Sequence, residues 1–161
     1  MIYNPDIVNY QPFYIQTDAD SSAIDTKEQW GIVVKTNPDL VLPTAKEPYK
    51  NNWLDEDGDD EYNAQMYYEA MEISFDIYVS GDSAADVRRA KDALFEKIRR
   101  GEFMVYFSAL DRGYRRVRYV SESMDRKIIK SRYTEISTIT LKVNDPVTRV
   151  SLQGSTLNPE A

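Results

Sequence analysis

Met71-Glu-Ile-Ser-Phe-Asp-Ile-Tyr-Val79 alternates apolar and polar side chains almost without a break, and together with the residues up to Phe107 it decides the fold. Met71, Ile73, Phe75, Ile77 and Val79 share one face; Glu72, Ser74, Asp76 and Tyr78 share the other. A period of two belongs to a strand with one buried face. Ser80-Gly-Asp82 turns a corner. Ser83, with Asp86 three residues on, opens a helix as a variant of the capping box. Val87, Ala90, Leu94, Phe95 and Ile98 recur at helical spacing and predict an apolar stripe. Arg99 and Arg100 sit where cations complement the helix dipole, and Gly101 reads as a left-handed cap. Phe103, Val105 and Phe107 then alternate as a second strand.

Downstream, Leu110-Asp-Arg-Gly113 reads as a turn. Tyr114 to Met124 reads as a long strand, with Val117 and Tyr119 on one face and Arg116 and Arg118 on the other. Lys127 to Ser131 reads as a basic turn. Tyr133 to Val143 is the last expected strand, with Ile139, Leu141 and Val143 inward and Asn144-Asp-Pro146 closing it. Ile136 is out of phase with these, which implies a bulge or a change of exposed face.

Upstream, Pro12 to Thr17 and Trp30 to Thr36 read as strands, separated by the turn-forming run Asp18-Ala-Asp-Ser-Ser22. Residues 37–66 hold three prolines and the run Asp55-Glu-Asp-Gly-Asp-Asp-Glu61. A segment of this length and polarity is an extended arm, and Asp57-Gly58 suits a hairpin tip because Gly accepts positive φ. The sum is a mainly β (α+β) fold of five to seven strands. It is an antiparallel β-sandwich or barrel-like sheet with one flanking helix over about 84–100. Residues 1–150 form a single domain carrying the arm, and residues 151–161 a flexible tail.

Composition narrows the chemistry. The chain of 161 residues has no cysteine and no histidine. That excludes disulfides, thiolate nucleophiles, Cys/His zinc sites and Ser-His-Asp triads. No signal peptide is expected, since Met1-Ile-Tyr-Asn-Pro-Asp6 has neither a basic start nor an apolar run, and no stretch approaches the roughly 20 apolar residues of a membrane helix. An EF-hand reading of the acidic run, with Gly58 at the sixth position, puts Trp53 and Ala64 at the outer ligand positions, where neither can ligate. Glu72 and Asp76 share a strand face, but solvated acids do that as a rule. No cofactor, metal or small-molecule substrate is expected, and no enzyme.

Charge is more informative. Residues 1–80 carry 16 acidic and 4 basic side chains, whereas residues 81–161 carry 11 acidic and 16 basic. Two poles of opposite sign favour head-to-tail contact between copies. The expected contacts are Asp55, Glu56, Asp57, Asp59, Asp60 and Glu61 of one copy with Arg88, Arg89, Lys91 and Lys97 on the outer helix face of another; Arg116 and Arg118 are expected to pair with acidic residues of the same or a neighbouring chain. The Arg112–Tyr119 stretch also supports an alternative, a nucleic-acid- or carbohydrate-binding module, since it interleaves arginines with Tyr114 and Tyr119. The net charge of −7 argues against nucleic acid as the main partner.

The order of elements from Ile73 to Pro146 resembles the N-terminal domain of the distal tail proteins of long-tailed bacteriophages. The resemblance lies in the alternating strand Ile73–Val79, the Gly81-Asp-Ser83 corner, the helix Ala84–Arg100 and the short strand Phe103–Phe107. The strands Tyr114–Val120 and Tyr133–Val143 and the closing Asp145-Pro146 continue it. It covers about half the chain. It implies a structural virion protein of a phage or prophage tail, assembled in the bacterial host cytoplasm. Its partners would be itself, in a homo-oligomeric ring, and other tail proteins. The family's common second, carbohydrate-binding-like domain is not expected within these residues, and the expectation is a minor tail or tail-tube protein sharing the fold.

Overall fold

The computed structural model describes residues 10–48, 50, 51, 54, 57, 58, 60, 61 and 66–160. Its centre is the pairing of β6 (Met71–Gly81) with β9 (Tyr133–Gln153), in register from Met71 opposite Val143 to Gly81 opposite Tyr133. On the other side of β9 lies β8 (Arg112–Ile129), then β7 (Phe103–Phe107), β1 (Phe13–Gln16) and β2 (Ile24–Asp25). Beyond β6 lies β3 (Ile32–Thr36). A last strand, β10 (Thr156–Pro159), also pairs with β9. The sheet is open and wholly antiparallel, and the chain is mainly β. Two further short strands, β4 (Lys50–Asn51) and β5 (Asp60–Glu61), pair apart from it.

The alternation in β6 is borne out: Ile73, Phe75, Ile77 and Val79 are all buried on one face. Against them packs α2 (Ala84–Ile98) through Val87, Leu94 and Ile98. Phe75 meets Phe107 edge-on at 4.9 Å and Phe13 at 5.2 Å. Burying each ring is worth roughly 2–3 kcal/mol, so this aromatic group anchors β1 and β7 to β6.

The chain departs from expectation where local geometry competes with pattern. Phe95, placed with the apolar stripe, is 40% exposed and instead meets Tyr119 in a tilted ring contact at 5.3 Å. Ser83 is the N-cap by its extended backbone, but its side chain makes no cap bond. At the other end the cap is Arg99 in right-handed geometry, with positive φ delayed to Gly101.

A second helix, α1 (Thr26–Trp30), was not expected. Asp25 caps it, accepting from Lys27 N and Glu28 N, and Gly31 ends it at φ 71. Trp30, expected to begin a strand, therefore closes α1 instead. Thr26 is fully buried, and its hydroxyl ties β1 to β3 by bonding with Phe13 and with the carbonyl of Ile32.

Ile136 keeps the regular alternation of β9 and faces away from α2. It is buried there with Val33 and Tyr78, and Tyr10 stacks on Tyr78. The sheet is thus covered on its second face at this end. The strand does not end at Asn144-Asp-Pro146. Proline cannot donate to a ladder, and β9 answers with a bulge: Tyr114 opposes Arg149, and the next residue, Arg115, opposes Asp145. The Asp145 carboxylate staples the bulge by accepting from Val147 N and Thr148 N. Where a tail was expected, β9 runs on to Gln153 and turns into β10, whose Leu157 is buried beside Tyr106 and Val150. Likewise β8 continues through the expected basic turn as far as Ile129.

Candidate functional site

The arm is present as a hairpin. Lys46 N donates to Tyr67 O and Glu69 N to Thr44 O at its base, and farther out β4 pairs with β5. Gly58 has φ 80 near the tip, but the loop is longer than a two-residue turn. Leu54 and Asp57 are exposed, as are Leu40, Val41 and Leu42 before the base and Met66 and Tyr67 where the arm returns to it. Asp55, Glu56 and Asp59 lie outside the described residues, and Asp60 and Glu61 are placed only as β5.

The basic residues expected to receive that tip do not form one outward face. Lys91 turns toward the sheet and lies 2.8 Å from Glu122 and 4.0 Å from Glu135. Lys97 pairs with Asp20 at 2.9 Å, and Arg89 with Asp86 on its own helix at 3.5 Å. Arg116 meets Glu102 at 3.4 Å, and its φ of 53 marks a bulge that breaks the expected alternation of Arg115, Arg116 and Arg118. Arg115 pairs with Asp145. Among the described residues, Arg88 and Arg118 have no acidic partner.

Two features were not visible in the sequence. The first is a strand edge. β7 pairs with β8 only as far as Val117, so from Arg118 to Ile129 β8 pairs with β9 alone among the described residues. Val120, Met124 and Ile129 are exposed along it. Bulges at Tyr119/Ser121 and Met124/Arg126, with the charges of Glu122, Asp125 and Arg126, oppose indiscriminate pairing.

The second is a cavity of 420 Å³ beneath the arm's first segment. Its lining combines the apolar Leu40, Val41, Leu42 and Leu110 with the cationic Arg112 and Arg149. The Arg112 guanidinium lies 5.3 Å from the ring centre of Tyr114, and its Nε is buried with no acceptor among the described residues. Tyr114 itself is buried, so it offers no free face on which a nucleic-acid base could stack. Two acids also line the cavity: Asp111, which accepts from the Tyr106 hydroxyl, and Glu160.

Among the described residues no helix is long and apolar enough to cross a membrane, and no three acidic side chains converge as a metal site would require.

No protein-family model matches the sequence, and no curated protein matches it. In fold, the chain is similar to the crystal structure of the SPP1 Dit protein, described as a paradigm of the hub adsorption apparatus in phages infecting Gram-positive bacteria. The TM-score is 0.55 at 19% identity. The likeness covers 86% of this chain and 52% of that one, so the chain spans about half the length of its structural relative. It is a likeness of fold, of the kind the order of elements led one to expect.

Proposed function

We propose that the protein is a non-enzymatic structural subunit of a bacteriophage or prophage tail. It forms a homomeric ring by head-to-tail association and contacts neighbouring tail components in the virion. The shared fold supports the tail role. The observation that carries self-assembly is the open edge of β8 from Arg118 to Ile129. An edge of that length presents unpaired backbone donors and acceptors, and the exposed Val120, Met124 and Ile129 add apolar area that a neighbouring strand would cover. The acidic arm and the basic second half of the chain orient the contact.

The test places charge on the edge. Val120→Lys with Met124→Lys should shift sedimentation from oligomer to monomer while leaving the unfolding temperature within a few degrees, since both side chains are partly exposed. An oligomer unchanged by the pair of substitutions removes the β8 edge from the interface.

A further inference from the structure

We infer that the Arg112–Arg149 cavity is the receptor for the arm tip of the next copy, with Leu54 meeting its apolar residues and the carboxylates that follow Leu54 meeting its two arginines. This rests on the ring reading and names the contact within it.

Three observations converge on that occupant. The cavity has a mixed lining, in which leucines and valines stand together with two arginines. Neither arginine has an ion-pair partner among the described residues, and the buried Nε of Arg112 lacks an acceptor. Such a donor gains most from a carboxylate brought to it, because a charge-assisted bond replaces a desolvated orphan. Of the cavity's own acids, Asp111 is engaged by Tyr106 and Glu160 makes no ion pair with either arginine.

The arm tip has the matching composition. Leu54 is fully exposed, an apolar side chain held in water, and six of the seven residues after it are acidic. An apolar anchor next to carboxylates is the complement of a lining that combines apolar residues with arginines.

Leu40–Leu42, which line the cavity, precede the arm's base, and antiparallel pairing at Ala45–Tyr68 and again at Lys50–Glu61 extends the arm beyond that base. An extended run from Ala45 to Asn51 spans roughly 20 Å. In the ring reading the occupant is a second copy. Tip and cavity are different surfaces, so the contact is head-to-tail and repeats around a ring.

The chain has no cysteine, which makes the contact directly testable. Two full-length single-cysteine chains, one Leu54→Cys and one Leu42→Cys, are mixed at assembly concentration and oxidised. Both positions are exposed, so neither change should disturb folding. A mixed disulfide dimer as the main covalent product is the expected result. Adding Arg112→Glu and Arg149→Glu to the Leu42→Cys chain should slow its formation at least tenfold. Arg88→Cys on α2 is the rival acceptor. A product that forms with Arg88→Cys and not with Leu42→Cys, or a rate indifferent to the arginine changes, overturns the cavity contact. If sedimentation shows an oligomer that yields no cross-link, the cavity contact is wrong and the ring stands. A monomer without cross-link removes both.

Discussion

Lys97 Nζ lies 2.9 Å from Asp20 Oδ1, joining the last turn of α2 to the turn after β1 across 77 residues of sequence. The same carboxylate accepts from Thr17 N and the Thr17 hydroxyl. Burial pushes the Asp20 carboxyl up, but the bonds from Lys97 and Thr17 outweigh it and hold it below the usual range. A depressed carboxyl contributes stability above its unfolded value, near 3.9, and loses it as pH falls through the lower folded value. Asp20→Asn should therefore cost about 1 kcal/mol at neutral pH and nothing at the lowest pH where the protein remains folded. Equal losses at both pH values would show that the carboxylate charge plays no part.

Tyr106 titrates at the other end of the scale. Burial, then its hydrogen bond to Asp111 and the charge of that carboxylate, push its hydroxyl up to about 12. A phenol whose folded value is raised stabilises the protein fully below pH 10, the unfolded value, and loses that contribution between pH 10 and about 12. Tyr106→Phe should lose about 1 kcal/mol at pH 7 and show a flatter decline in stability above pH 10. Absorbance titration should remove one late-titrating phenol. A variant that declines as steeply as the parent contradicts the assignment.

Gly113 is required by close approach. A Cβ there would lie 2.5 Å from Val150 O and 2.9 Å from Val105 O, between the neighbouring backbones of β9 and β7. Gly113→Ala should destabilise by about 1–3 kcal/mol, read as a lower denaturant midpoint. No change in midpoint would mean that the three strands can spread there without cost.

Ser137 has the opposite character. It is fully buried on β9, and its hydroxyl has no partner among the described residues. Ser137→Ala removes an unsatisfied polar group at almost constant volume, so thermal unfolding should be unchanged or higher by up to about 1 kcal/mol. A loss of stability would reveal a bond that the hydroxyl makes.

The run from Met71 to Phe107 was legible because its elements are long enough to show their period. β6 alternates over nearly all its length, and α2 repeats its apolar stripe over four turns. Phe95 escaped because its spacing fits the stripe while its ring prefers Tyr119 at the edge. In α1 five residues hold too little periodicity, although Asp25 and Gly31 mark both its ends. Pro146 reads as a stop in one dimension, whereas in the sheet it is absorbed by a bulge that Asp145 staples. Burial pushes the Asp145 carboxyl up, but the bonds from Thr148 and Val147 and the nearby Arg115 hold it down.

The proposed assembly surfaces were legible only as charge. Lys91, Lys97 and Arg116 read as free cations because sequence does not show that Glu122, Asp20 and Glu102 come to meet them. The open edge of β8 depends on where β7 stops, and the cavity joins residue 40 to residue 149, so neither has a local signature.

Native mass spectrometry over a concentration series, in low and moderate salt, tests self-assembly most directly. A closed ring gives one dominant stoichiometry that grows with concentration and weakens with salt, as contact between an acidic arm and a basic receptor requires. A monomer at every concentration in low salt contradicts ring assembly.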